Sequence, residues 1–323
     1  MASPAVQPKL MLRADGATDI GQRREHNEDV VLLRRDLGLF VLADGAGGHN
    51  AGDVAAALAC QTIAETMEST AKAAATQPEF DAFGLSTEAR RLSAAVHRAN
   101  QRVVELSESS QKHRGMGTTV VAASYARRHD TLHVAHVGDS RCYRLRHKTL
   151  ECLTQDHSLL TDVLEQRPEI EEAKLARLPK NVVTRALGMG PSVKVSIRSH
   201  RLVGGDRYLL CSDGLSNVVN ADQIATLLEQ DQAPLTIVRQ LIQLANQCGA
   251  PDNVAAIVLA VDGRSERALP ASRTGWKPEL SRESDPELLI LGIEDLDVAQ
   301  HLYSTSEGLL EQLGEFAHRK KPE

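Results

Sequence analysis

The sequence has little of several things that would place a chain at once. Its five cysteines, Cys60, Cys142, Cys152, Cys211 and Cys248, are odd in number and scattered, and no Cys-x-x-Cys pair occurs. That argues against a disulfide framework and against a thiolate zinc or redox site. Aromatic residues are scarce, with four Phe, four Tyr and one Trp in 323 residues. Base-stacking platforms are therefore disfavoured, and a formal charge of -6, from 37 Lys plus Arg against 43 Asp plus Glu, gives no basic footprint for nucleic acid. No run approaches the ~18 apolar residues of a membrane-spanning helix. Pro4, Pro8, Lys9 and Arg13 interrupt the first residues before a signal-peptide core could form. A reducing, cytoplasmic setting is expected, with neither nucleic acid nor membrane as partner.

What the chain does have is an ordinary globular share of apolar residues, 42 %, and enough length to bury a substantial core. Leu37 to Ala43, Thr131 to Val137 and Arg207 to Ser212 read as buried strands, each short, largely apolar and stopped near a Gly next to an Asp. A fourth, Val254 to Val261, starts just after Pro251-Asp252-Asn253. Helical patterns run from about Asp53 through Ala75 and from about Thr87 to Leu106, the second with Leu92, Val96, Ala99, Val103 and Leu106 on one stripe. The layout is mixed α and β.

Residues 263–286 are rich in Ser, Arg and Pro and lack periodicity, which reads as a linker. Beyond it, Ser304 and Glu307 have capping-box spacing ahead of Leu309, Leu310, Leu313 and Phe316. The expected organisation is a flexible N-terminus over 1–12, a core domain over 13–262, the linker, and a helical extension over 287–323.

The informative feature is where the acids fall. Asp44, Asp139 and Asp213 each follow an apolar strand, and Asp252 precedes another. Ionised carboxylates near a core are costly, and several together raise one another's pKa unless a cation intervenes. Oxygen donors without Cys or His at ligand spacing suit hard ions such as Mg²⁺ or Mn²⁺. Two such ions ~4 Å apart can clamp a phosphoryl group. Each Asp-Gly pair taken alone is better read as a hairpin-turn dipeptide.

The surroundings shift that balance. Asp44 opens DGAGGHNAGD, a glycine-dense loop between strand and helix that lacks the Gly-Lys-Ser/Thr ending of a nucleotide loop. In TDIGQRREHNED, Arg24 stands five residues before Asp29 and could bring a phosphate-gripping guanidinium beside a metal-site carboxylate, or be a solvated surface residue.

Taken together, TDIGQRREHNED, VLADGAGGHNAG, GMGTT, VGDSRCY, LTQDHS, VVTRALG, LLCSDGL and PDNV resemble, in order over roughly residues 13 to 262, the metal-dependent protein phosphatases of the protein phosphatase 2C type. The resemblance implies an α+β fold, a four-layer αββα sandwich of two antiparallel sheets flanked by helices. It implies a serine/threonine phosphatase in which a hydroxide bridging two Mn²⁺ or Mg²⁺ ions attacks phosphoserine or phosphothreonine directly. Asp44 would bridge the ions and the Gly45 carbonyl would bind one. Asp213 and Asp252 would complete the other ion's shell, mostly with waters. Asp29, with Glu28 beside it, would order water, and Arg24 would hold the phosphate. Asn253 would support Asp252, and Asp139 would bind a weaker third ion. The segment between His157 and Arg185 would be a variable flap.

The chain departs from the pattern at two places. Asn217 stands where the family often has a further Asp, which weakens the third-ion site, and Ala46 stands where some members have a His proposed as leaving-group acid. His49 is a poor substitute, being better read as a loop-packing imidazole. The expected partners are phosphoproteins that are targets of a Ser/Thr kinase, and the expected state is a monomer. The alternative is a regulator that docks a partner through the C-terminal extension and uses the phosphatase fold as scaffold.

Overall fold

A computed structural model describes residues 10–46, 51–74, 76, 80, 85–175, 177–179 and 182–263. His49, the linker and the C-terminal helix expected near residues 304–316 lie outside the described residues. The strands are β1 (Met11–Asp19), β2 (Asp29–Arg34), β3 (Leu39–Ala46), β4 (Gly117–Thr118), β5 (Val120–Ala126), β6 (Thr131–Val137), β7 (Arg141–Arg146), β8 (Thr149–Cys152), β9 (Ser196–Arg201), β10 (Arg207–Cys211) and β11 (Val254–Asp262). The helices are α1 (Gly52–Ser69), α2 (Ala71–Ala74), α3 (Thr87–Ser109), α4 (Leu159–Gln166), α5 (Glu172–Leu175), α6 (Asp213–Ser216), α7 (Ala221–Leu228) and α8 (Pro234–Gln247).

The strands form two antiparallel sheets. One has the order β1-β11-β10-β7-β8, and the other β2-β3-β5-β6-β9 with β4 paired to β3. Strand alternation divides the apolar residues among three cores. Leu39, Val41 and Ala43 of β3 pack outward beneath α1 and α3, while Phe40 and Leu42 point between the sheets toward Leu210, Ile257 and Leu259. On the far side Leu209, Cys211, Val258 and Ala256 pack against Leu228 of α7 and Ile237, Val238 and Leu241 of α8. This is the expected αββα sandwich. Because helices cover both outer faces, the central strands are apolar on both sides, and each fully buried Leu or Ile in them contributes about 1.5–3 kcal/mol.

Local signals set the helix limits. Ser86 caps α3 by accepting the Ala89 N–H at 3.1 Å, and its stripe residues Leu92, Val96, Ala99 and Val103 are buried. Asn220 and Gln223 form a capping box at α7, and α8 begins with Pro234. The helix expected to run from Asp53 through Ala75 instead ends at Ser69. The Ser69 and Thr70 hydroxyls both bond back to the Thr66 carbonyl, which also accepts the Thr70 N–H at 3.1 Å, and the short helix α2 begins at Ala71. Strand β1 begins at Met11, inside the stretch expected to be a flexible N-terminus, because its backbone pairs with β11 from Met11↔Asp262 to Asp19↔Val254. Among the described residues, no helix is long and apolar enough to cross a membrane.

Candidate metal centre

The two sheets bring their acids to one end of the sandwich. Asp29 opens β2 and Asp44 lies near the end of β3, and the antiparallel register makes them direct partners. Asp213 opens α6 immediately after β10, and Asp252 precedes β11, so these two come from the other sheet. Asp139 sits in the turn from β6 to β7, where the chain crosses between sheets.

The acids act on one another. Burial and then the charges of Asp213 and Asp252 push Asp29 up to about 7, against the opposing pull of Ser212. Burial and the charges of Asp29, Asp213 and Asp252 raise Asp44 well above the carboxylate range. Asp213 rises through burial and Asp252, and Asp139 rises to about 6 through burial and Asp213. Glu28 also rises, mainly by burial. Among the described residues, no three His, Cys, Asp or Glu side chains close into a group able to hold one ion by themselves. The carboxylates nonetheless act on one another, Asp44 lying within side-chain hydrogen-bond reach of both Asp29 and Asp213.

The residues fit a hard divalent cation. All the donors are oxygens, and burial leaves them short of compensating positive charge. Asp29 Oδ1, moreover, is buried without a hydrogen-bond partner, an open acceptor that a cation or its bound water would satisfy.

The supports are backbone and hydroxyl contacts. The Asp44 carbonyl accepts the Thr119 N–H at 2.8 Å and the Thr118 hydroxyl at 2.9 Å, while the Asp44 N–H donates to Thr119 Oγ1 at 3.3 Å. Thr119 Oγ1 is in turn 2.7 Å from Ser140 Oγ, tying the strand end of Asp44 to the turn of Asp139. Gly45 N–H donates to the Glu28 carbonyl at 3.2 Å, and a Cβ on Gly45 would run into the Gly52 carbonyl, so only glycine fits there.

Asn253 organises the N-terminal loop. Its amide donates to the carbonyls of Ile20 at 2.8 Å and His26 at 2.9 Å, and its Oδ1 accepts the Glu28 N–H at 2.9 Å. Its own N–H donates to Asp252 Oδ1 at 2.8 Å. The turn it occupies is clasped from both sides, since a Cβ on Gly21 would strike the Asp252 carbonyl and one on Gly214 the Asn253 carbonyl.

Arg24 is in the cluster, but its partner differs from the one its spacing suggested. Its guanidinium donates to Asp252 Oδ2 at 2.7 Å rather than to Asp29, and that bond holds Arg24 still more firmly protonated. Asn217 donates its amide to Asp213 Oδ2 at 3.1 Å. Its contribution is therefore a donor facing a carboxylate, not a further negative charge.

Ser212, Thr118, Thr119 and Ser140 escaped the reading of the sequence. All four lie in the quoted motifs, but as uncharged hydroxyls next to acids they carried no signal of their own.

A profile of the protein phosphatase 2C family matches residues 21–260. The chain is 33 % identical over 251 residues to the serine/threonine phosphatase Stp of Listeria welshimeri, covering 77 % of this chain and 95 % of that one. The solved structure of the Mycobacterium tuberculosis serine/threonine phosphatase PstP superposes with a TM-score of 0.65 at 32 % identity, over 78 % of this chain and 99 % of that one. A structure of the PstP catalytic domain in complex with two manganese ions does so at 0.63 and 33 % identity, over 78 % and 99 %. The chain belongs to the protein phosphatase 2C family, and with it to the metal-dependent protein serine/threonine phosphatases.

Proposed function

We propose that the protein hydrolyses phosphoserine and phosphothreonine in phosphoprotein substrates at the carboxylate cluster, by direct attack of water and without a covalent phosphoenzyme. The observation that carries this is the meeting of Asp29, Asp44, Asp213 and Asp252 at one end of the sandwich, each of the first three with its pKa raised. Two Mn²⁺ or Mg²⁺ ions would be held by Asp44, the Gly45 carbonyl, Asp213 and Asp252. When bound, such a pair supplies an acidified water as nucleophile and neutralises the phosphoryl oxygens.

The chain's own groups do the rest. Arg24, exposed and carried on a loop that Asn253 fixes, grips two phosphate oxygens with its planar fork. Asp29 and Glu28 orient the attacking water and accept its proton, and the departing serine or threonine oxygen takes up a proton from water at the site. Asp139 would hold a weaker third ion, with Asn217 giving that site one carboxylate fewer. The work is mostly charge neutralisation and positioning, as phosphoryl transfer requires. The substrates are targets of a Ser/Thr kinase, and the enzyme works as a cytoplasmic monomer.

The test is hydrolysis of p-nitrophenyl phosphate and of a phosphothreonine peptide with Mn²⁺, then with excess chelator, and by Asp44→Ala and Asp213→Ala. Activity is expected only for the wild-type protein with metal. Turnover that persists through chelation and both substitutions would contradict the reading.

A further inference from the structure

Ser212 occupies the residue before α6, where a serine ordinarily turns its oxygen onto the helix's free N–H groups. Here its side chain makes no such cap. It is fully buried, and its Oγ accepts the Ala255 N–H at 2.9 Å while lying 2.8 Å from Asp29 Oδ2. A hydroxyl has one proton, and with Ala255 as donor that proton points at Asp29. The Ser212 N–H donates to the Ala255 carbonyl at 3.2 Å, so the residue is pinned at both its backbone and its side chain. Asp29 is fixed from the other direction, its N–H donating to Asn27 Oδ1 at 3.1 Å. Of its two carboxylate oxygens one is therefore committed to Ser212, and the other, Oδ1, is buried without a hydrogen-bond partner.

We infer that Ser212 is a positioning residue of the metal centre: it joins the two sheets at the cluster and holds Asp29 in the one orientation that leaves Oδ1 open toward a cation's bound water. The inference rests on the proposed two-ion reading of the site. A purely structural serine would serve β11 through Ala255 and be indifferent to Asp29. A positioning serine acts on the site through Asp29, as the outer partners of a metal site do when their loss costs 10–100-fold in affinity or activity.

The experiment is Mn²⁺ titration of the full-length protein by calorimetry, with a thermal melt of every variant in chelator. Ser212→Ala is expected to raise the Kd for Mn²⁺ about tenfold or more. Ser212→Cys, nearly the same size and a weak donor, is expected to lose a similar factor, and Ser212→Thr, which keeps the hydroxyl, to stay within about twofold of wild type. In an Asp29→Ala background, Ser212→Ala is expected to cost nothing further. Unchanged Mn²⁺ affinity in Ser212→Ala and Ser212→Cys, or the same loss with and without Asp29, would overturn this inference while leaving the metal centre intact. Failure of the wild-type protein to bind Mn²⁺ would overturn the metal centre and the inference with it.

Discussion

Asp29 and Asp44 are direct cross-strand partners on β2 and β3. Like charges placed opposite each other in a sheet destabilise it, and here burial raises both pKa values further. A fold that keeps such a pair gives up stability for function. Asp44→Asn is therefore expected to be inactive yet more stable than wild type in chelator, by on the order of 1 kcal/mol. Melting curves with and without Mn²⁺ check this: the metal should raise the wild-type Tm more than that of the variant. A variant that melts lower than wild type in chelator would count against stored repulsion.

The turn Pro251-Asp252-Asn253 is enclosed by two glycines. A Cβ on Gly214 would overlap the Asn253 carbonyl, backbone that cannot swing aside. Gly214→Ala is expected to cost about 1–3 kcal/mol or more and to displace Asp252, weakening Mn²⁺ binding. Gly205→Ala makes a useful contrast, since nothing stands within 4 Å of its Cβ position, and the φ of +92° there is the sole source of strain. Urea unfolding of the two variants should separate crowding from strain. Equal losses would show that crowding at Gly214 is unimportant.

His157 sets an acid limit on the fold. Its ring stacks on His136 with centroids 4.6 Å apart, its Nδ1 accepts the Gly138 N–H at 3.1 Å, and its Nε2 lies 2.9 Å from Ser196 Oγ. Burial, and then the neighbouring His136, lowers its pKa to about 3. A base whose folded pKa lies below its unfolded value of ~6.5 contributes stability that is present above pH 6.5 and is lost as pH falls toward 3. Stability is thus expected to decline over that window, and His157→Gln, which cannot titrate, should flatten the decline. Denaturant midpoints at pH 7.5, 6, 5 and 4 measure it. An unchanged pH slope in the variant would refute the assignment.

Four of the strands were legible, and for one reason. β3, β6, β10 and β11 lie between two packed layers, so their sequences are apolar on both faces. Edge strands β8 and β9 are largely exposed, and β1 mixes Arg13, Asp15 and Gly16 into its run, so neither alternation nor apolarity marks them. Asp44, Asp139, Asp213 and Asp252 were legible because each stood beside an apolar strand, whereas Asp29, at the start of the unread strand β2, entered only through its motif. The pairing of Arg24 was not, because sequence spacing ties it to Asp29, whereas Asn253 folds the whole 20–28 loop toward Asp252.

The Arg24–Asp252 pair is exposed and contributes less than about 1 kcal/mol to stability. Its proposed role is in binding the substrate phosphate. Arg24→Ala is expected to raise KM for a phosphothreonine peptide about tenfold or more, and Arg24→Lys, which keeps the charge but loses the fork, to fall between. The Tm of both should stay near wild type. A large drop in Tm with KM unchanged would make Arg24 structural instead.

The most direct measurement is anomalous diffraction from crystals soaked in Mn²⁺. Two peaks are expected, with Asp44 between them, the Gly45 carbonyl on one, and Asp213 and Asp252 on the other. No peak among these carboxylates, or manganese bound only elsewhere on the molecule, would contradict the account.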